Sequence, residues 1–388
     1  MQIGAGAIGR GFLAERYAAA GYDTTLVDVN TEQIAEINRR GEYVVHAVSA
    51  QGVEESVISG VDAVDIRDTE SFTRSVVEAE MITTAVGPGA LEKVAPALAA
   101  ALVERAKRRP RDELHVVVIA CENITDNTAR LKEHIWAHLT PEQQTKLEGT
   151  ISFPNCAVDR IVPVIGVSDE PLDVTVEKYF SLIVDETRLN GPMPAIPGVK
   201  LSRNLVADSE QKLFTLNTTH GVTAWLGRKA GYEYIHEAIQ DPTIRSLVEG
   251  TLAEIEPVIA GRFESISVED QRAFAARTVE RFGNPYLRDT VERVGRDPIR
   301  KLGPKDRLIR PAMLTFEQGT TPAHLASGIV AALQYRNPDD PQAAELARRI
   351  SHERIESVLI DVSGLEQGHP VVNMVKATYE LDELGRAA

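Results

Sequence analysis

The sequence predicts an α/β domain with a doubly wound parallel sheet, followed by an all-helical domain. Three observations carry that expectation. Strand-like and helix-like segments alternate through the first half. A turn with four glycines in eight residues lies between the first strand and the first helix. From about residue 200 onward the apolar spacing is almost wholly helical. A chain of 388 residues also exceeds what one hydrophobic core usually serves.

The elements follow in order. Met1-Gln2-Ile3 is all that precedes Gly4, so the first strand is short or the sequence starts late. "FLAERYAAAG" is apolar at helical spacing and ends at a capping Gly21. "DTTLVDVN" is a β-branched strand closing on Asp28, and "TEQIAEINRRG" is a helix. "AEMITTAVGPGALEKVAPALAAALVER" reads as strand, turn and helix. "LHVVVIACEN" is an apolar run of the kind buried on both faces of a parallel sheet. "AVDRIVPVIG" and "LDVTVEKYFSLIVDE" add strands that close the first domain. The Pro- and Gly-rich "LNGPMPAIPGVK" marks the boundary, giving domains 1–190 and 191–388. Beyond it, "YEYIHEAIQDPTIRSLVEGTLAEIEPVIAG", "VEDQRAFAARTVERFG", "TPAHLASGIVAALQYR" and "DPQAAELARRI" are helical.

Composition narrows the function. A net charge of −15 disfavours nucleic acid or an anionic membrane as partner. Two cysteines, Cys121 and Cys156, make no disulfide framework, which fits a cytoplasmic protein with free thiols. The longest nearly uncharged apolar run, Val94 to Val103, is about half of a bilayer span. No signal peptide, repeat or oligomer seam is evident.

The glycine turn is the first candidate site. In Gly4-Ala5-Gly6-Ala7-Ile8-Gly9, the first glycine permits the tight turn. The second lets the backbone approach a pyrophosphate, and the third lets helix and strand pack closely. A helix N-terminus then offers N–H groups to the phosphates. Asp28, followed by Val29, stands where a carboxylate accepts from the adenosine ribose and repels a 2′-phosphate, which favours NAD over NADP. Ala85 and Val86 of "TTAVGP" end a strand that would line the same crevice. A plain turn, with Asp28 as a helix cap, is the alternative.

The second candidate lies in "EQKLFTLNTTHGVTAWLG". At about 100° per residue, Asn217 falls about 140° and His220 about 80° from Lys212, so the three share one side of a helix. An amine, an amide and an imidazole together suit a pocket for a carbinol or carbonyl oxygen. Lys212 would take a hydroxyl proton as NAD takes the hydride, Asn217 would donate to the developing oxyanion, and His220 would orient a hydroxyl. An amphipathic helix with a solvated lysine is the plainer reading. With the amine in the second half and the dinucleotide on the first, catalysis is expected between the domains.

Taken in order, "GAGAIGRGF", "VDVN", "TTAVGP", "ACEN", "AVDRIVP", "KLFTLNTTH", "RFGNPYL", "VERVGRDPIRKL", "DRLIRP" and "DDPQAAEL" resemble the motifs of the polyol-specific long-chain dehydrogenases, the mannitol dehydrogenase family. The resemblance spans almost the whole chain. It implies a Rossmann-like domain, metal-free, NAD-dependent oxidation of a secondary alcohol and, since such relatives are often monomers, a monomer. Lys212 would match the catalytic base, Asn217 with Asn123 the pair holding the substrate oxygen, and His220 an orienting residue. Asp159, Arg160 and Arg293 are carried over as substrate-pocket residues, with structural ion pairing equally open. The sequence departs from its relatives at Thr219, where they mostly carry Gly, and at Gly221, where they carry Ala.

Six basic residues crowd "RDPIRKLGPKDRLIR": Arg296, Arg300, Lys301, Lys305, Arg307 and Arg310. Two or three such groups bind a phosphate monoester well, and relatives carry a similar run, which points to a phosphorylated sugar or polyol as substrate; Arg300 and Arg307 are the candidates taken, and the sequence does not single out which of the six make contact. A solvated loop is the alternative. A dehydrogenase for an unphosphorylated polyol or hexuronate, and a dinucleotide-binding regulatory module without turnover, stay open. His134 and His138 have zinc-compatible spacing but lack a third ligand, so no metal is expected. Cys121 reads as a small buried residue rather than a nucleophile.

Overall fold

The computed structural model describes residues 1–110, 113–163 and 166–387. The chain divides into two compact units, Met1–Leu205 and Val206–Ala388. The first unit therefore continues past the expected boundary at residue 190. Its last strand explains why: Val199–Ser202 pairs in parallel with Ser181–Asp185. The Pro/Gly-rich stretch is thus an internal loop of the first unit.

Among the described residues, twelve strands lie in the first unit: β1 (Gln2–Ile3), β2 (Thr24–Asp28), β3 (Glu42–Ser49), β4 (Gly52–Ser59), β5 (Val61–Asp65), β6 (Met81–Thr84), β7 (Val116–Ala120), β8 (Ile151–Ser152), β9 (Cys156–Asp159), β10 (Val174–Glu177), β11 (Ser181–Asp185) and β12 (Val199–Ser202). Six form one parallel sheet in the order β5-β2-β1-β6-β7-β8. Relabelled by their sequence within the sheet, that is 3-2-1-4-5-6, the Rossmann order. The chain reverses its winding between β1 and β6, and such folds bind ligands at that point, beyond the carboxyl ends of the strands. All five residues of β7 are buried, as its unbroken apolar run requires. β10, β3 and β4 form a second sheet, and β12, β11 and β9 a third. The hairpin β3–β4, turning at Ala50–Gln51, lies outside the elements expected from the sequence. Of the expected "AVDRIVPVIG" strand, Cys156–Asp159 is observed, while Val164 and Ile165 lie outside the described residues.

Flanking helices follow their caps. Thr31–Arg40 opens on the Asn30 side chain, which accepts from the Gln33 N–H, and closes on left-handed Gly41. Leu91–Arg108 packs Leu98, Ala99 and Leu102 onto the sheet core with Val116 and Val118.

The second unit is helical. Asp241 caps Pro242–Arg262 and breaks the long expected helix into Ile235–Ala238 and its successor. Ser267 forms a capping box on Val268–Phe282. Asp340 caps Pro341–His352. Their common core includes Trp225, Ile255, Leu308, Ile329 and Val372. Among the described residues, no helix is long and apolar enough to cross a membrane. Both cysteines are free and buried.

Candidate active site

The glycine turn of the first unit has separate demands at each glycine. Gly4 adopts φ +96°, and a Cβ there would come within 2.5 Å of the Ala85 carbonyl oxygen. The turn after β1 thus packs directly on the turn after β6. At Gly9 a Cβ would lie 1.9 Å from the Gly4 carbonyl oxygen, so helix and strand approach as closely as only glycine allows. Gly11 packs on Val174 in the same way. Gly6 differs: it is exposed, and a Cβ there would meet nothing within 4 Å. That open backbone, next to exposed Ala7 and half-buried Ile8 at the start of the helix, fits a dinucleotide phosphate.

Asp28, at the end of β2, braces this turn. Its Oδ2 accepts from Ala5 N–H at 2.8 Å, and its Oδ1 from Val29 and Asn30 N–H at 2.8 and 3.1 Å. Val29 is 59% exposed beside it. Arg10, absent from the expected set, donates from Nε to the Ala5 carbonyl at 2.8 Å. Glu122 was also missed. Its carboxylate accepts from the Thr84 hydroxyl at 2.9 and 3.0 Å and from Val86 N–H at 3.0 Å. It therefore fixes the Ala85–Val86 turn. Burial raises its pKa above the usual carboxylate range. The neighbouring Asn123 is exposed. Asn127 shapes its loop by donating to the carbonyls of Glu122 and Cys156.

The two carried-over residues at the end of β9, Asp159 and the Arg160 that follows it, differ. Asp159 is buried opposite Ser181. Arg160 is buried and donates to Glu15 at 2.8 Å, to the Gly11 carbonyl at 3.0 Å and to the Glu177 carbonyl at 2.9 Å. All its named partners are structural, so it ties the ends of β9 and β10 to the helical run Gly9–Ala19.

In the second unit, Lys212–Asn217 is a π-helical stretch that runs into the α-helix Thr218–Ala230. Thr218 N–H reaches back five residues to Leu213. The α-helical spacing assumed from sequence therefore fails at this point. A turn closed i→i+5 brings Lys212 and Asn217 nearer in azimuth than about 140°. Lys212 is half-buried, while Asn217 and His220 are 8% and 9% exposed. The departures from the relatives have local causes. Thr219 donates its hydroxyl to the Thr215 carbonyl at 2.6 Å. At Gly221 a Cβ would stand 2.8 Å from the Trp225 ring, whose indole N–H is anchored on the Gly295 carbonyl. The indole takes the space an alanine would need.

His220 stacks on Phe282 at 4.7 Å between ring centroids. Its Nε2 lies 3.2 Å from Asp289 Oδ2, close to the carboxylate but off the axis of an aligned hydrogen bond. Burial lowers the imidazole pKa, against the opposing pull of Asp289. Asp289 in turn receives Arg293 through Nε at 2.5 Å and Nη2 at 2.6 Å. Burial alone would raise the Asp289 pKa, but His220 and Arg293 hold it at about 2. Arg293, expected in the substrate pocket, is thus engaged by Asp289. Asp289 itself was missed, because nothing in "YLRDTVERV" sets one acid apart from another.

The basic segment also separates. Lys301 is 5% exposed and donates to the Val294 carbonyl at 2.6 Å, so it is structural. Arg300 is exposed and pairs with Asp297 and Asp306 at 3.8 and 3.5 Å. Arg307 bonds Asp306 at 2.8 Å. The Thr218 hydroxyl donates to the Arg307 carbonyl. That bond joins the basic segment to the helix of Lys212 and His220, one residue beyond Asn217.

Residues 1–198 match the model of the mannitol dehydrogenase Rossmann domain, and residues 204–381 that of the mannitol dehydrogenase C-terminal domain. The chain belongs to the mannitol dehydrogenase family. That family comprises NAD-dependent polyol oxidoreductases. Two solved structures share the fold. Mannitol 2-dehydrogenase of Pseudomonas fluorescens, in ternary complex with NAD and D-mannitol, matches with a TM-score of 0.76 and 17% identity over 98% of this chain and 90% of that one. D-Sorbitol dehydrogenase in substrate-free form matches with a TM-score of 0.82 and 16% identity over 98% and 92%.

Proposed function

We propose that this member of the mannitol dehydrogenase family is a mannitol-1-phosphate 5-dehydrogenase, interconverting D-mannitol 1-phosphate and D-fructose 6-phosphate. NAD, when bound, supplies the hydride acceptor. Gly4 to Gly9, Asp28, Val29, Ala85 and Val86 hold it on the first unit. Lys212 accepts the proton of the reacting secondary hydroxyl. Asn217 and Asn123 donate to the oxygen on which charge develops. His220 orients a neighbouring hydroxyl.

The observation that carries the phosphorylated substrate is the Thr218–Arg307 bond, which ties the basic segment to the Lys212 helix. Arg300 and Arg307 then supply charge and forked donors for a phosphate monoester. Asp306, which pairs with both arginines, favours a second reading, a dehydrogenase for the free polyol. Rates with NADH on fructose 6-phosphate and on fructose separate the two. A kcat/KM at least a hundredfold higher for the phosphate is expected. Arg307→Ala should then raise its KM at least tenfold, at little cost to kcat. Equal rates on both sugars, or an unchanged KM, would reject the phosphate site.

A further inference from the structure

His220 sits at the end of a buried series that the proposed chemistry does not itself require. Asp289 is 2% exposed, and both its carboxylate oxygens are taken by the fork of Arg293. His220 Nε2 lies 3.2 Å from Oδ2, the oxygen that also accepts from Arg293 Nη2. The imidazole is clamped against Phe282 with ring planes 16° apart. Three elements thus converge on one ring: the Lys212–Ala230 helical run, the helix Val268–Phe282, and the segment that enters the helix Val291–Gly295. The charged groups that bear on His220 are Asp289, Arg293 and Arg281.

We propose that Asp289, locked by Arg293, is a positioning residue that fixes the His220 ring and selects the nitrogen it offers to a substrate hydroxyl. This rests on the reading of His220 as a substrate-orienting residue. A carboxylate beside Nε2 favours the tautomer with its proton there, which leaves Nδ1 as the acceptor of a neutral ring. Neutral His220 then accepts from a substrate hydroxyl. Protonated His220 has only donors and loses that bond. Arg293 keeps Asp289 anionic across the working pH range and, with Arg281, opposes protonation of His220.

The sign of two shifts tests this in the intact protein. The His220 resonance, assigned by its loss in His220→Asn, is titrated by NMR. Asp289→Asn removes the anion, so the midpoint should move to lower pH. Arg293→Gln removes the opposing cation and frees the carboxylate, so it should move to higher pH. A purely structural role gives no reason for shifts of opposite sign. In kinetics, Asp289→Asn should raise KM for the sugar at least tenfold and leave NADH affinity unchanged. On a His220→Asn background the same substitution should change KM less than twofold. If Asp289→Asn does not fold, Arg293→Gln still gives the titration. Midpoints that stay put, or a KM effect undiminished on the His220→Asn background, would overturn the proposal. Opposite shifts in a protein that reduces no sugar would sink the assigned reaction and leave the clamp standing.

Discussion

At the scale of single residues, geometry adds constraints that residue type does not reveal. Asp28 offers about four lone-pair sites, and three backbone N–H groups occupy three of them. One remains for a ribose hydroxyl. Asp28→Asn turns an acceptor oxygen into an amide donor facing an N–H. It should weaken NADH binding by about tenfold or more and relax discrimination against NADPH. Titrating both cofactors checks this, and an unchanged preference would remove Asp28 from ribose reading. Lys301 makes a different point. Burial, reinforced by Arg307 and Arg300, lowers its pKa from 10.5 to about 7. Below pH 7 the folded and unfolded chains both carry the proton, and the full cost of the buried charge is present. Between pH 7 and 10.5 only the unfolded chain keeps it, so stability rises with pH, by on the order of 5 kcal/mol in total. Lys301→Met should flatten the dependence of unfolding free energy on pH across that window. A curve parallel to the parent's would mean the folded amine stays charged.

At the scale of elements, the glycine turn contrasts two neighbours that look alike in sequence. Gly9→Ala drives a methyl group into the Gly4 carbonyl, so melting temperature and NADH binding should both fall. Gly6→Ala meets open space, so it should melt like the parent yet bind NADH at least tenfold more weakly. Normal affinity in Gly6→Ala would place the phosphates elsewhere. The strand–glycine–helix pattern made this turn legible, because each feature is local. The Lys212–His220 stretch was legible in its groups but not in its geometry, since a π-helical turn leaves no mark on apolar periodicity. Long-range bracing was not legible at all. Glu122 reaches Thr84 across 38 residues, and Asp289 meets His220 across 69 in the numbering. Only the folded chain brings them together. The boundary was misjudged for a related reason: Pro and Gly mark a loop, but strand pairing decides to which unit it belongs.

At the scale of the whole molecule, two units have separate cores, and the proposed reaction draws on both. The first presents the Rossmann strand order and the open glycine turn. The second presents the amine, the imidazole and the basic segment. Cofactor binding and turnover should therefore separate cleanly. Lys212→Ala should bind NADH within about twofold of the parent, because no residue of the glycine turn changes. Its kcat should fall by about a factor of 10² or more, the usual worth of a positioned acid–base group. A fragment of residues 1–205 keeps every strand of the three sheets and their cores, and at that length can bury a sufficient core. It should bind NADH and turn over nothing. Fluorescence titration with NADH beside a fructose 6-phosphate reductase assay reads both quantities. Near-normal kcat in Lys212→Ala would move the proton to another group. A folded fragment blind to NADH would show that the first unit does not suffice for the cofactor.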